Sequence, residues 1–561
     1  MPMGVALVAV VLALPALRLG LASDDLWHRA MLLHDSRWLP ATNAPPWDLF
    51  TFSNGDPTTR AAIIERGIMP WWISESVKVS FFRPVSSLTH ALDYVLWPSW
   101  PVLMHVHSIL WYIAAVVLAT ALYRRIIGRS GAAAWIIGLA ALLFAVDGTH
   151  GLPVGWIANR NASIAATFAF GSLLAYDSRR PFVAAGLLGL GLASGESGMA
   201  ILAYYAAHAF FLDERPWGDR IRGLAPAAAV AFVWMLLHRA GGYGVRGSGL
   251  YVDPMHEPLA FLVNLHCIPI LAGSELGAPL PDVYFFVSTP LKVFFLAFAM
   301  IVMVVAIKSG IPLLRRSKEA RFFFAAGILA VVPACTTVPS ARNLIIPSFG
   351  LIGFLALLTT ETTKIAQRFT AWAVTFRLAI SPIVFLLQMH AMTFMVMRID
   401  QFGEGLPKNE EVAKKRLVLT NSPDSAMFYY LVVNRLEAGE LVPQKALTLA
   451  GGYRDVTITR TDERTLVVRV KEGFYRRGSD LLFRSPTEIT PVGKRIEIGN
   501  ECVVTTTHAL PDGVIDEARY ELSEPLESSH WLFMEWHGKS LEPATLPAIG
   551  ETRTLAGSPM L

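Results

Sequence analysis

The chain has 561 residues, of which 53% are hydrophobic and 16% are charged, and its mean hydropathy is +0.45. Soluble domains carry about a quarter charged residues, so this composition excludes an ordinary soluble protein and indicates an integral membrane protein. The net charge of +4 is small, and the basic residues form short clusters between apolar runs. Such clusters are typical of membrane topology, and we find no nucleic-acid-binding motif.

Apolar segments of roughly the length of a bilayer span recur along the chain. A spanning helix needs about 20 apolar residues. Eleven stretches approach that length, at 3–22, 102–122, 131–147, 161–176, 182–195, 197–212, 223–239, 286–308, 322–338, 343–360 and 370–396. We therefore predict a polytopic α-helical membrane protein with about eleven transmembrane helices. The pair over 182–212, interrupted by "SGESG", can also form one broken hairpin.

The basic connections between these segments orient the predicted bundle, because Lys and Arg are retained on the cytoplasmic side. Five of them alternate with connections poorer in Lys and Arg: "YRRIIGRSG", "YDSRRP", "LDERPWGDRIRG", "KSGIPLLRRSKEAR" and "ETTKIAQR". The alternation predicts that the N-terminus is inside, with residues 23–101, 240–285 and everything after 397 outside. Arg outnumbers Lys thirty-six to twelve in an Ala-rich chain, a composition associated with GC-rich bacterial genomes, so we expect a bacterial inner membrane protein. A cleaved signal peptide over the first segment is the alternative, although the basic n-region of such peptides is missing.

The predicted outer loop over 23–101 contains an amphipathic segment, "PVSSLTHALDYVLW" at 84–97. Its apolar residues recur at helical spacing, which predicts an interfacial helix along the membrane surface. The Trp-rich stretches "MPWW" and "WPSW" of the same loop suit the headgroup region.

After residue 397 the composition becomes that of a soluble domain. Residues 409–440 are predicted to be helical, and five segments then alternate like half-buried strands: "DVTITR", "TLVVRV", "KRIEIG", "CVVTTTH" and "ARYELS". We therefore predict a transmembrane domain over 1–400 and a small, mostly β or α/β extracytoplasmic domain over 401–561.

Cysteine usage predicts neither a disulfide framework nor a zinc site. Cys267, Cys335 and Cys502 are scattered, and there is no CxxC pair. We expect no cofactor; a divalent metal stays open, although the sequence shows no cluster of ligands.

Three stretches carry a resemblance to known membrane enzymes. They are "FRPVSSLTHALDYVLWPSW" from residue 82, "LLFAVDGTHGLPVGWIANRNASIAATFAF" from residue 142 and "GLGLASGESGMAILAYYAAHAFF" from residue 189. In this order they resemble the GT-C superfamily of polytopic glycosyltransferases, above all the protein O-mannosyltransferases and their bacterial relatives. The resemblance covers roughly residues 1–215, with a weaker echo at "VPSARNLIIPSFG".

The resemblance implies an inverting membrane glycosyltransferase. Such enzymes move a sugar from a polyprenyl-phosphate-linked donor to an acceptor hydroxyl at the extracytoplasmic face, so the implied partners are that donor and membrane lipids. The acceptor, a protein or a glycan, stays undetermined. The family positions that match are those of Asp24 or Asp25 in the acidic pair, Arg83 in the Arg-Pro motif, His150 and Arg160 in the third motif, and Glu196 in the "SKE" motif.

The chain also departs from the family pattern. Asp147 and Gly148 replace its His-Pro, and Leu152, Ala162 and Gly195 replace its Glu, Asp and Lys. These lost charges keep a catalytically silent scaffold open as an alternative. A lipid-linked sugar transporter or flippase is the other alternative, and it would need polar residues near the bilayer midplane.

The chemistry of such a transfer indicates which side chains would act. An acceptor hydroxyl is a poor nucleophile, so a carboxylate must take its proton; Asp24 and Asp25 are the predicted catalytic residues, and the sequence leaves open which one acts. The competing interpretation is that "SDD" only begins a helix. Arg best stabilises a leaving lipid phosphate, and the predicted substrate and phosphate ligands are Arg83, His150, Arg160, Glu196, Arg246 and Arg342.

Overall fold

The computed structural model describes residues 2–34, 45–424, 427–476 and 478–558, so part of the predicted outer loop, at 35–44, lies outside the described residues. Helices dominate the first 403 residues. In chain order the elements are α1 (Pro2–Ala13), α2 (Asp24–Leu32), β1 (Thr51–Asn54), α3 (Pro57–Glu65), β2 (Lys78–Ser80), α4 (Pro84–Leu96), α5 (Pro101–Ile127), α6 (Ala134–Ala145), α7 (Gly151–Gly155), α8 (Arg160–Asp177), α9 (Pro181–Leu192), α10 (Ile201–Ala207), α11 (Trp217–Ala240), β3 (Gly244–Arg246), α12 (Pro258–Asn264), α13 (Ile268–Ser274), α14 (Val283–Phe286), α15 (Thr289–Arg316), α16 (Lys318–Val331), α17 (Ile345–Leu358), α18 (Lys364–Ala379), α19 (Ser381–Met389) and α20 (Ala391–Gly403).

The helical part contains several elements that can cross a membrane. Six stretches of the described chain are long and apolar enough, at Pro101–Ser130, Ala134–Gly155, Trp217–Ala240, Thr289–Arg316, Lys318–Thr336 and Lys364–Met389. Shorter apolar helices stand at Met3–Arg18, Pro181–Leu192, Pro258–Ser274 and Ile345–Leu358. The structure therefore supports a polytopic membrane protein but does not confirm eleven spans, because several predicted segments form helices shorter than the roughly 20 residues that a span needs.

Strands dominate the rest of the described chain. Its elements in chain order are β4 (Arg416–Leu419), α21 (Met427–Glu437), β5 (Lys445–Thr448), β6 (Val456–Arg460), β7 (Thr465–Val470), α22 (Asp480–Phe483), β8 (Arg495–Ile498), β9 (Cys502–Ala509), β10 (Ile515–Leu522), β11 (Trp531–Trp536), β12 (Leu541–Pro543) and β13 (Thr552–Leu555). Five strands follow the predicted segments. The helix predicted over 409–440 is wrong in its first half, since β4 lies there. The "RLVL" segment of β4 pairs in parallel with both β5 and β11. The sequence of a strand enclosed in this way is a nearly continuous apolar run without the alternation on which the strand prediction depended.

Two sheets organise this C-terminal region. One is antiparallel, in the order β13-β6-β7-β10-β9-β8; the other has the order β12-β11-β4-β5. A third sheet, β1-β2-β3, joins the outer loop to the stretch after α11.

The outer loop shares its hydrophobic core with the C-terminal region. The indole N–H of Trp71 donates to the Tyr520 hydroxyl at 2.7 Å, and that of Trp72 donates to Asp480 Oδ1 at 2.7 Å. Both tryptophans are buried among strands of the antiparallel sheet. The prediction that "MPWW" lies among lipid headgroups is therefore wrong, because these rings anchor the loop to the C-terminal region.

Helix α4 confirms the helix predicted over 84–97, with an unexpected orientation. Its apolar residues Leu88, Leu92 and Val95 are exposed, whereas His90 and Asp93 are buried against the bundle. The helix thus presents its polar face to the protein and its apolar face outward. Its position along the membrane surface stays a prediction.

Candidate functional site

A cavity of about 1610 Å³ lies where the helical part of the chain meets the C-terminal region and the loop that follows α2. Its walls come from α2, the β1-β2-β3 sheet, the ends of α11, α15 and α16, the turn before α17, and α20 and α21. Many of the lining side chains are aromatic, among them Trp27, Phe50, Trp234, Tyr243, Phe285, Phe394, Tyr429 and Tyr430. The C-terminal region is therefore one wall of this cavity.

The two adjacent acids of "SDD" have different surroundings. Asp24 lines the cavity. Asp25 is buried, with 3% of its surface exposed, and both its oxygens accept backbone hydrogen bonds: Oδ2 from the Ala22 N–H at 3.0 Å and Oδ1 from the Ala158 N–H at 2.6 Å. Asp25 thus fastens the turn before α2 to the turn before α8.

The start of α2 argues against a purely structural role for Asp24. Ser23 precedes the helix with a φ of 53° and makes no side-chain bond to the helix backbone. Its hydroxyl instead lies 3.3 Å from Asp24 Oδ1 and 3.3 Å from the Tyr430 hydroxyl. The Asp24 carboxylate therefore belongs to a polar group inside the cavity.

Burial changes the acidity of both carboxyls. It raises the pKa of Asp24 from 3.8 to about 6, against the opposing attraction of Arg342 and Arg83. It raises the pKa of Asp25 to about 7, against the two backbone bonds and with a smaller contribution from the charge of Asp24. A carboxyl with the Asp24 pKa is ionised at neutral pH and is a stronger base than an exposed aspartate.

Arg342, in the turn before α17, lines the same cavity as Asp24, and its charge opposes the rise of the Asp24 pKa. Its Nη2 donates to the Tyr251 hydroxyl at 3.0 Å. Asp282 fixes the turn, since Oδ2 accepts from the Ala341 N–H and Oδ1 from the Ser340 hydroxyl, both at 2.9 Å. Within the described ranges, no carboxylate oxygen lies within 4.0 Å of the Arg342 guanidinium. Arg342 therefore keeps its charge available to a ligand.

Arg83 also lines the cavity, but it has a protein counter-ion. Its Nε donates to Glu196 Oε2 at 2.8 Å, and the Phe82 N–H donates to Glu196 Oε1 at 3.1 Å. The guanidinium stacks 4.4 Å from the Phe81 ring centre and 4.9 Å from that of Phe50. The pair Arg83–Glu196 is therefore a preformed part of the wall.

Three predicted ligands do not line the cavity. Arg160 is fully buried, 2.7 Å from Asp93 Oδ2. His150 is fully buried, with Nε2 3.1 Å from the Ser348 hydroxyl. Arg246 is exposed near the cavity edge. Contact of Arg160 and His150 with a substrate in the cavity has no support in this geometry, whereas a ligand-binding role for Arg246 stays a prediction.

Sequence reasoning missed several lining residues. Tyr430 stands 407 positions after Ser23 and belongs to no recognisable motif, so no sequence signal pointed to it. Arg239 and Lys292, at the ends of α11 and α15, also line the cavity without a carboxylate oxygen within 4.0 Å in the described part of the chain. Basic residues at the predicted outer ends of spans run against the usual charge rule, and that signal could have found them.

The charges inside the membrane helices form a separate, enclosed group. Arg377 Nη1 lies 3.2 Å from Asp147 Oδ2, and Arg377 also pairs with Glu275; all three side chains are at most 2% exposed. Asp147, which departs from the family pattern, is thus neutralised by Arg377. None of the three lines the cavity, so they do not form the accessible midplane site that a transporter needs.

The described residues contain no group of three or more His, Cys, Asp and Glu side chains arranged to hold a metal ion. The absence of a cofactor stays a prediction.

Comparison with known proteins gives distant matches. No family model and no curated protein matches the chain. The solved structures similar to it include those of ArnT from Cupriavidus metallidurans in the apo state and bound to undecaprenyl phosphate, each at 12% identity. The matches cover 73% and 74% of this chain and 88% of each ArnT chain, with TM-scores of 0.32 and 0.30. At TM-scores this low the likeness carries no argument.

Proposed function

We propose that this protein is a membrane glycosyltransferase of the GT-C type, which transfers a sugar from a polyprenyl-phosphate-linked donor to an acceptor hydroxyl at the extracytoplasmic face of the bacterial inner membrane. One observation carries the proposal: a carboxylate, Asp24, shares a cavity at the end of the membrane helices with Arg342, which has no carboxylate partner among the described residues.

The proposed transfer is an inverting displacement. Asp24 takes the proton of the acceptor hydroxyl while its oxygen forms a bond to the anomeric carbon. The bond from that carbon to the phosphate oxygen breaks, and its electron pair goes to the lipid phosphate. Arg342 stabilises the charge that grows there, because an arginine donates charge-assisted hydrogen bonds to phosphate.

The cavity suits a lipid-linked donor. Trp234, Phe285 and Ala330 give its membrane side an apolar lining, and Arg239 and Lys292 add positive charge at the ends of two membrane helices. Helix α11 packs against α9, whereas α15 packs against α13 and α18, so the two helices contribute separate walls. We infer that the polyprenyl chain lies on this side and that the acceptor approaches from the side of α21.

The test is a reaction of the purified protein in vesicles with a labelled polyprenyl-phosphate sugar and a membrane extract as acceptor source. Transfer of label to the extract supports the proposal. Movement of the intact lipid across the bilayer without transfer indicates a flippase. If the protein neither transfers sugar nor moves the lipid, it is a silent scaffold. Mass spectrometry of co-purifying lipid adds a separate readout: Arg342→Ala is expected to lose a bound polyprenyl phosphate, whereas the exposed Arg495→Ala is expected to keep it.

A further inference from the structure

The sheet at the cavity edge holds two like charges side by side. In the antiparallel pair of β2 and β3, Lys78 stands directly opposite Arg246. Like charges in this arrangement destabilise a sheet. Across the described ranges, no carboxylate oxygen lies within 4.0 Å of either cationic group. Burial, and to a lesser extent Arg246, lowers the pKa of Lys78, as expected for an uncompensated pair.

A polar chain holds Arg246 in place. Asp253 Oδ2 lies 2.7 Å from His256 Nδ1, and His256 Nε2 lies 2.7 Å from Arg246 Nη2. Because Nδ1 faces a carboxylate and Nε2 faces a guanidinium donor, the neutral imidazole donates to Asp253 and accepts from Arg246. The described residues provide no further hydrogen-bond partner for Nε or Nη1 of Arg246. The guanidinium is thus oriented while part of its donor capacity is open.

The pair lies on the rim of the cavity. Asp253, His256 and the β3 residue Val245 line it. Lys78 Nζ packs against Gly242 in the turn that follows α11. It lies 3.4 Å from the position that a Cβ atom at Gly242 would occupy. This turn directly follows a stretch that is long and apolar enough to cross a membrane, and we infer that the pair lies at the level of phospholipid headgroups.

We propose that Lys78 and Arg246 form a phosphate-ester-binding site on the rim of the cavity, separate from Arg342. A phosphate ester satisfies the open donors of the arginine and removes the repulsion between the two cations. Its source is either a phosphate group of the acceptor or the headgroup of a bilayer phospholipid. The acceptor as a source rests on the proposed function, whereas phosphate binding itself depends neither on Asp24 nor on sugar transfer.

The test is a titration with inorganic phosphate in neutral detergent, at an ionic strength held constant with sodium chloride, with the thermal midpoint as readout. The parent is expected to show a saturable rise in midpoint. The double variant Lys78→Ala, Arg246→Ala is expected to bind phosphate about tenfold or more weakly. The control is a second double variant, Lys471→Ala with Arg495→Ala, which removes the same charge from exposed positions of the C-terminal region. Its midpoint should respond to phosphate like that of the parent.

Two kinds of response to phosphate would overturn the site. One is a parent whose midpoint responds to phosphate no more than to chloride. The other is a response that survives in the double variant but disappears in Arg342→Ala, since the phosphate would then bind at Arg342. Without phosphate, the double variant should be at least as stable as the parent because the like-charge pair is gone; a lower midpoint would contradict the uncompensated repulsion on which the proposal rests.

A second arm identifies the source of the phosphate. The same titration is repeated with the parent in phosphatidylcholine nanodiscs. If a bilayer headgroup occupies the site, the response of the thermal midpoint to inorganic phosphate is abolished. A response retained in nanodiscs assigns the site to a phosphate group of the acceptor. Both results support the site itself.

Discussion

Two neighbouring aspartates at the start of α2 have different chemistry because the helix directs them apart. Successive residues of an α-helix are about 100° apart around its axis. Asp25 consequently accepts two backbone N–H bonds between buried turns, while Asp24 lies in the cavity near Arg342. A hydrogen-bonded carboxylate without access to a ligand holds structure, whereas a carboxylate in a cavity can exchange a proton with one.

Asp25→Asn is expected to destabilise the protein. An amide offers one acceptor oxygen where the carboxylate offers two, so either the Ala22 or the Ala158 N–H loses its partner. An unsatisfied buried donor costs about 1–3 kcal/mol. The thermal midpoint should fall for Asp25→Asn and stay near the parent value for Asp24→Asn. Equal midpoints for the two variants would show that Asp25 is not the fastening residue.

The pH dependence of transfer should follow Asp24. A base acts only when it is ionised, so kcat/KM should rise with pH through about 6 and level off above it. Arg342 stabilises the carboxylate, so removal of its charge raises the Asp24 pKa, and the residual activity of Arg342→Ala should rise at higher pH.

Two control variants test whether the rising limb of the pH profile of kcat/KM reports the ionisation of Asp24. Arg342→Lys keeps the charge and should leave the limb near its parent position, and Asp25→Asn should leave it in place because Asp25 does not face the substrate. A limb that is identical in Arg342→Ala and in the parent would separate the titrating group from Arg342 and contradict the assignment.

At the scale of elements, α4 is fastened through its polar face. Asp93 Oδ2 lies 2.7 Å from Arg160 Nη2, and Asp93 Oδ1 lies 2.7 Å from His107 Nδ1. Asp93 and Arg160 are fully buried, so the pair links α4 to the start of α8. The exposed Leu88, Leu92 and Val95 are then free to face lipid.

Asp93→Ala should be strongly destabilising. It leaves the Arg160 guanidinium buried without a counter-ion, and breaking a buried pair in this way costs about 3–5 kcal/mol. The control is Leu92→Ala on the exposed face of the same helix, which is expected to change stability by less than about 0.5 kcal/mol. Thermal unfolding in one detergent measures both, and a similar loss in the two variants would contradict the proposed anchoring.

The sequence predicted elements better than their surroundings. Helical spacing of apolar residues located α4, and alternation located β6 to β10, because both patterns are local. The same spacing could not tell whether the apolar face of α4 packs inward, since protein and lipid are equally apolar partners. The "MPWW" stretch shows the same limit: a Trp pair fits a headgroup region or a core, and only the contacts with Tyr520 and Asp480 decide.

At the scale of the whole molecule, the cavity depends on both ends of the chain. Ser23 and Asp24 come from its start, Arg342 from its middle, and Tyr430 from α21 in the C-terminal region. The sequence predicted the acids, Arg83 and Arg342 as site residues. It could not pair Arg83 with Glu196 or find Tyr430, because these contacts arise only when distant segments pack together.

The proposed orientation places the C-terminal region outside the cytoplasm. Alkaline phosphatase fused after residue 561 should be active, and a fluorescent protein fused there should be dark. A second pair of fusions in the basic connection "KSGIPLLRRSKEAR" should give the opposite pattern, because Lys and Arg are retained inside. An inactive phosphatase and a bright fluorescent protein at the C-terminus would mean that the bundle has the opposite orientation and that the cavity faces the cytoplasm.

We propose Asp24 as the base of a sugar transfer. The decisive measurement is the rate of transfer from a labelled polyprenyl-phosphate sugar by Asp24→Asn, normalised to folded protein. Loss of a general base costs about 10²–10⁴-fold in rate, so this variant should lose transfer by that factor while keeping the parent midpoint. Asp25→Asn makes the same chemical change one residue away and should transfer sugar near the parent rate per folded molecule. Transfer by Asp24→Asn at the parent rate would contradict the account.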